Sequence, residues 1–279
     1  MRLALAQLSS SEDRLHNLAK VTRAMEQAAR QGAEAIVFPE VVLDRFFPQN
    51  PADPKARKLA ETIPGPSCDA VAAKARELSL VTVFNLYEVD EQGRTFDSSP
   101  VFDADGTHLG TTRMVHITDY EGFHEKDYYH PGDLGAPVYD TQVGRIGVAI
   151  CYDRHYPEYM RALAVAGAEL VVIPQAGTVG EWPEGLYEAE VRTSAFQNGY
   201  FAALCNRVGE EEKLSFSGES FACDPNGQFL VRGKSLEEDL VMVDMDLSLC
   251  QSSHARRLFF RDRRPELYGA WLGPHKDPR

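Results

Sequence analysis

Residues 145–175, RIGVAICYDRHYPEYMRALAVAGAELVVIPQ, decide how this chain folds. An apolar run to Cys151, a stretch with Tyr159, Leu163 and Val165 at helical spacing, and a second apolar run closed by Pro174 and Gln175 read as strand, helix, strand. The same order opens the chain. RLALAQ from Arg2 is followed by Leu15, Leu18, Val21, Met25, Ala28 and Ala29 at helical spacing, then by GAEAIVFPE ending at Glu40. In each copy a glycine follows the helix and a proline closes the second strand. Two β-α-β halves in 279 residues, 43% of them hydrophobic, predict one α/β domain with mixed sheets and helices on their faces.

The intervening sequence fits that plan. The IPGPS turn introduces a helix from about Cys68 to Leu78, and LVTVFNLYEV reads as one strand returning through a hairpin at DADG. After the second half come a helix from Leu186 to Asn198, a strand YFAALCNRVG, and a hairpin turned at Pro225, Asn226 and Gly227. A catalytic-type domain over 1–250 is expected, with a basic, aromatic tail over 251–279 docking on the core or on a partner subunit.

Composition excludes several functions. A formal net charge of −13 without a long Lys/Arg cluster argues against nucleic acid or an anionic membrane surface as partner and leaves a small molecule as the expected one. No stretch approaches a membrane span, and the N-terminus lacks the pattern of a secretory or transit segment. Cys68, Cys151, Cys205, Cys223 and Cys250 are odd in number and scattered without a C-x-x-C pair, which fits free thiols in the cytoplasm. G-x-G-x-x-G after the first strand, G-x-x-x-x-G-K-[ST], G-x-S-x-G and H-E-x-x-H are all absent, so neither cofactor nor metal is expected.

Two residues stand where chemistry gathers in open α/β sheets, beyond the carboxyl ends of strands. Cys151 ends the first strand of the second half: it is either an inert core thiol or a nucleophile. Glu40 ends the second strand of the first half, after IVFP: it is either a salt-bridge partner or an acid–base group with a perturbed pKa.

IVFPE at Glu40, FHEKDYYHPGD around Glu125, GRIGVAICYDRHYPE around Cys151 and RRPELY near the end together resemble the nitrilase superfamily of carbon–nitrogen hydrolases, in the right order from Arg2 to Tyr268. The resemblance implies a nitrilase-like α-β-β-α sandwich that dimerises or assembles further. It implies Cys151 as the thiolate that attacks an amide, carbamoyl or nitrile carbon, Glu40 as general base and acid, and Glu125 as a second glutamate beside the site. The Tyr152 backbone N–H would serve the oxyanion. Arg154, close behind the cysteine, resembles the arginine that grips a substrate carboxylate in the carbamoyl amino acid and ureidopropionate hydrolases; a salt bridge to Glu158 is the alternative. Aliphatic ω-amidases are the nearest competitor.

One position departs from the pattern. The superfamily's lysine falls where this chain has Met114, in TTRMVHITD, and a thioether neither donates a hydrogen bond nor carries charge. Losing one oxyanion-hole donor costs about 2.7–4 kcal/mol, roughly 10²–10³ in rate. Three readings follow: Arg113 or His116 substitutes, with His116 on Met114's face of a strand and Arg113 on the other; the Tyr152 N–H and a substrate-borne cation suffice; or hydrolysis is lost and the chain binds a ligand or acts as a scaffold.

Overall fold

The computed structural model describes residues 1–273. The first half begins with β1 (Arg2–Gln7), α1 (Arg14–Arg30) and β2 (Ala35–Val37), with β1 and β2 parallel and Leu3 opposite Ala35. The second half repeats it as β8 (Gly144–Val148), α3 (Pro157–Val165) and β9 (Leu170–Gln175), again parallel, with Ile146 opposite Leu170. Between them lie α2 (Pro66–Leu78), β3 (Val81–Val83), β4 (Leu86–Val89), β5 (Thr95–Phe102), β6 (His108–Arg113) and β7 (Val138–Thr141). After β9 come α4 (Leu186–Asn198), β10 (Phe201–Asn206), β11 (Val208–Glu210), β12 (Ser215–Ser217), β13 (Phe221–Cys223), β14 (Phe229–Arg232) and β15 (Asp239–Asp244).

Seven strands form one sheet in the order β15-β1-β2-β3-β5-β4, with β6 also on β5. Six form a second, β14-β13-β10-β9-β8-β7. Strand alternation then sorts the apolar residues into layers. Leu3, Leu5, Val37 and Val83 of one sheet meet Val148, Val172, Phe201 and Ala203 of the other in a shared core. Their neighbours face outward: Ala4, Ala6 and Ile36 pack under α1 and α2 with Val21, Met25 and Val71. Val171, Ile173 and Ala202 pack under α3 and α4 with Met160, Leu163 and Val191. The result is the expected α-β-β-α sandwich.

Three local expectations need correction. LVTVFNLYEV is two strands, broken at Phe84 and Asn85, because the buried Asn85 side chain bonds Val41 N, Asp97 and Ser99 across the break. YFAALCNRVG likewise divides into β10 and β11. Glu40 and Cys151 do not end strands; each lies three residues beyond one, in a turn after β2 and in a 3-10 turn Cys151–His155 after β8.

The tail continues as α5 (Leu249–Ser252), a π-helical turn Ala255–Phe259 and α6 (Pro265–Trp271). It lies against the second half: Arg256 Nη2 donates to Ala168 O at 3.0 Å, Phe259 packs on Phe196 of α4, and Phe260 reaches the α3–α4 core. Its last six residues lie outside the described part. Among the described residues, no helix is long and apolar enough to cross a membrane.

Candidate active site

Each half delivers one chemical group at its strand ends. Cys151 has φ +43° and Val41, next to Glu40, has φ +47°. Positive φ is costly for a side-chain-bearing residue and most of all for a β-branched one, so both turns are held by their surroundings. Arg207, 1% exposed, holds the first: Nη1 donates to Glu40 O at 2.8 Å and Val41 O at 2.7 Å, and Nη2 to Asp44 O at 3.0 Å and Glu211 Oε1 at 2.6 Å. Arg207→Leu would orphan these carbonyls and leave the buried Glu211 carboxylate without its cation, with only Phe46 N and Gln49 Nε2 still donating to Oε2. A loss of about 3–5 kcal/mol is expected from breaking such a buried pair, read as a lower urea midpoint.

The second turn is held through the arginine of YDRH. Arg154 Nη1 donates to Cys151 O and to Gln175 Oε1, both at 2.9 Å, and Gln175 Nε2 in turn donates to Cys151 Sγ at 3.3 Å. Arg154 Nε lies 3.2 Å from Glu190 Oε2, and the guanidinium sits over the Tyr187 ring at 4.5 Å. The alternative salt bridge to Glu158 does not form. Glu190, on α4, takes its place.

Glu40, Glu125 and Cys151 converge: one ligating atom from each lies within 4.8 Å of the others. Both glutamates are fully buried and Cys151 is 5% exposed. Burial raises the Glu40 carboxyl well above its usual range, with Asp97 and Glu125 adding to the effect. Burial and Asp97 do the same to Glu125, whose Oε2 accepts from Thr118 N at 3.3 Å. The Cys151 thiol is also pushed up, by burial and then by both glutamates, and Arg154 opposes this only in part. The spacing would let a metal ion bridge the three atoms, but burial that opposes three anions side by side suits proton transfer among them instead.

Neither candidate substitute for the lysine reaches this cluster. Arg113 bonds Glu88 and Asp133, and His116 Nδ1 pairs with Asp153 Oδ1 at 2.7 Å while its ring stacks on Tyr156. Met114 itself is fully buried, in the same apolar cluster as Cys151, Tyr128 and Tyr129. Tyr120 and Phe123 pack with Phe46 and Phe216, whereas Tyr128 and Tyr129 pack around Phe47 and Tyr87. Tyr120 also meets Trp182 edge to face.

Sequence reading missed four groups at the site. Gln175, quoted only as a strand end, contacts the sulfur. Glu181 accepts from the hydroxyls of Tyr120 and Tyr187 and from Thr178 N, and lies close enough to raise the proton affinity of Cys151 and Glu125. Asp97 lies against Glu40, and Asn85 bonds Asp97. A signal for Asp97 existed: Thr95, Asp97, Ser98 and Ser99 are polar residues in a strand buried along its whole length, a pattern that must be satisfied internally.

A buried thiol thus stands beside two buried carboxyls, just beyond the strand ends of a two-sheet sandwich, an arrangement suited to nucleophilic hydrolysis. The chain belongs to the carbon–nitrogen hydrolase family, whose profile matches residues 2–255, within the nitrilase superfamily. It is 31% identical over 281 residues to N-carbamoylputrescine amidase of Arabidopsis thaliana, covering 95% of this chain and 93% of that one. It is also 31% identical over 280 residues to citrullinase of Francisella tularensis subsp. tularensis, covering 96% of each. The crystal structure of a carbon–nitrogen hydrolase from Helicobacter pylori superposes with a TM-score of 0.92 at 29% identity, covering 99% of both chains. By family, then, the chain is a carbon–nitrogen hydrolase, and its relatives include amidases and carbamoyl-compound hydrolases.

Proposed function

We propose that Cys151 is the nucleophile, Glu40 the base and acid that serves it, and Glu125 the group that positions the substrate nitrogen. The observation that carries this is the convergence of the three within 4.8 Å in a buried site. The thiol proton passes to Glu40 as the sulfur attacks the carbonyl carbon, and Glu40 returns it to the departing nitrogen. Water then cleaves the thioester, with Glu40 taking its proton. The Tyr152 N–H, the first amide after the nucleophile, is the proposed oxyanion donor.

Substrate class is read from two walls. Arg154 is the proposed partner of a substrate carboxylate through Nη2, which has no acceptor among the described residues, while its Nη1 is committed to Gln175 and the Cys151 carbonyl. Glu181 supports a second reading, a substrate with a cationic far end, as in the compound that names the plant relative. Ammonia release from N-carbamoyl amino acids, N-carbamoyl diamines, citrulline and ω-amides decides between them. A preference for carboxylates that Arg154→Lys abolishes supports the first reading, and a preference for amines that Glu181→Gln abolishes supports the second. Turnover of none of these would favour the non-catalytic reading of Met114.

The same proposal places the enzyme in the cytoplasm as a homodimer. Five buried free thiols support the compartment. An apolar cleft of about 400 Å³ between α3 and α4, with Leu186 and Met160 in its lining, supports the assembly. The tail, which the proposed boundary at residue 250 separates from the hydrolase domain, adds the exposed apolar side chains Leu258 and Phe259.

A further inference from the structure

The Glu40 carboxyl has an unexpected neighbour. Asp97, on β5, is 1% exposed and lies against it. The orientation of Asp97 is fixed from the backbone outward. Val41 N–H donates to Asn85 Oδ1 at 2.5 Å, so Asn85 presents its amide nitrogen, which donates to Asp97 Oδ1 at 2.7 Å and to Ser99 Oγ at 3.0 Å. That leaves Asp97 Oδ2, which has no donor among the described residues; nor does either Glu40 oxygen receive an N–H or O–H from them. Two ionised carboxylates have only acceptors to offer, and two like charges in contact and out of water do not both persist.

We infer that Asp97 is a positioning residue that holds a proton on Oδ2 and donates it to Glu40. The inference rests on Glu40 being the base, since a base must be the unprotonated member of the pair. The Asp97 O–H then orients the Glu40 carboxylate and neutralises part of its charge, in a site whose Met114 supplies no cation. The proton is not consumed. The thiol proton moves to Glu40 and on to the leaving nitrogen, while the Asp97 proton stays where it is.

The groups that face Asp97 agree with a neutral acid. Glu40 approaches from the turn after β2, Glu125 and the Tyr129 hydroxyl from the segment after β6, and Asp153 from the turn after β8. None is cationic. Arg113 is spent on Glu88 beside Ser98, on the opposite face of β5. Burial lifts the Asp97 carboxyl from 3.8 to about 7, against the contacts with Glu40 and Asn85 that lower it and with Asp153 adding to the rise.

Asp97→Asn tests this without emptying the site. The carboxamide oxygen inherits the bond from Asn85, so the amide nitrogen must face Glu40 as a permanent donor. The infrared difference between the two intact proteins at about pH 6 needs no substrate. Loss of a carboxylic-acid C=O stretch is expected; loss of carboxylate stretches alone would overturn the inference. Turnover gives the second readout: the Asn variant should stay within about threefold of wild type near pH 6, with Asp97→Ala losing about tenfold or more. The sign with pH follows from the raised carboxyl. Its acid form is complete below about 4 and is lost as pH rises through about 7, so the ratio of Asn-variant to wild-type turnover should climb through that window. An equal loss in Asn and Ala variants, or a flat ratio, would overturn it. If nothing is hydrolysed by either protein, the proposed function fails while the infrared result still decides whether the carboxyl pair holds a proton, and retention of the acid stretch in Glu40→Gln places that proton on Asp97.

Discussion

Cys151→Ala is expected to lower ammonia release from the best substrate by about 10⁴-fold or more, the scale on which removing a covalent nucleophile acts. The fold should survive, because one sulfur is lost from a side chain already in contact with the site and the turn is held by Arg154 through the Cys151 carbonyl. The other thiols do not stand in for it. Burial pushes Cys68 and Cys223 up to about 12 and Cys250 to about 11, and raises Cys205 further. A rate that falls less than tenfold would remove Cys151 from the chemistry and return it to the core.

Met114→Lys is expected to speed alkylation of Cys151 by iodoacetamide at pH 7 by about tenfold to a thousandfold, because an opposite charge within about 4–6 Å lowers an acid's pKa by 1–3 units. The resting thiol is held neutral by burial and by Glu40 and Glu125, so wild-type alkylation is slow, and a cation among these groups reverses the electrostatics. The new lysine enters a fully buried position, and its charge is matched by the carboxyls around Cys151. Peptide mass spectrometry locates the label, and a urea titration confirms the fold. Unchanged labelling in a folded variant would show that position 114 does not address the site and that the departure from the family pattern has no electrostatic meaning.

What the sequence disclosed depends on how locally each feature is encoded. The two β-α-β halves were legible because each repeats its apolar spacing within about thirty residues, and that spacing is what sorts Leu3 from Ala4 and Val172 from Val171 into different layers. Glu40 and Cys151 were legible as groups near strand ends for the same reason, though each lies three residues past its strand. Glu125 was not: it sits in a short 3-10 turn within a loop, and only the resemblance pointed to it. Arg154 was read against Glu158 on helical spacing, but the 3-10 turn ends at His155 and a new helix starts at Pro157, so the two are not on one helix face and Glu190 meets the guanidinium instead. Asp97 was hidden because its strand buries both faces, which erases the alternation that would mark an inward carboxyl.

The most direct test of a thioester at Cys151 is rapid acid quenching of the protein during turnover of its best panel substrate, followed by mass spectrometry of the Cys151 peptide. The account expects an acyl or carbamoyl adduct on Cys151 that forms within one turnover and is absent from Cys151→Ala. Turnover without an adduct, or an adduct on Cys68, Cys205, Cys223 or Cys250 with Cys151 unmodified, would contradict it.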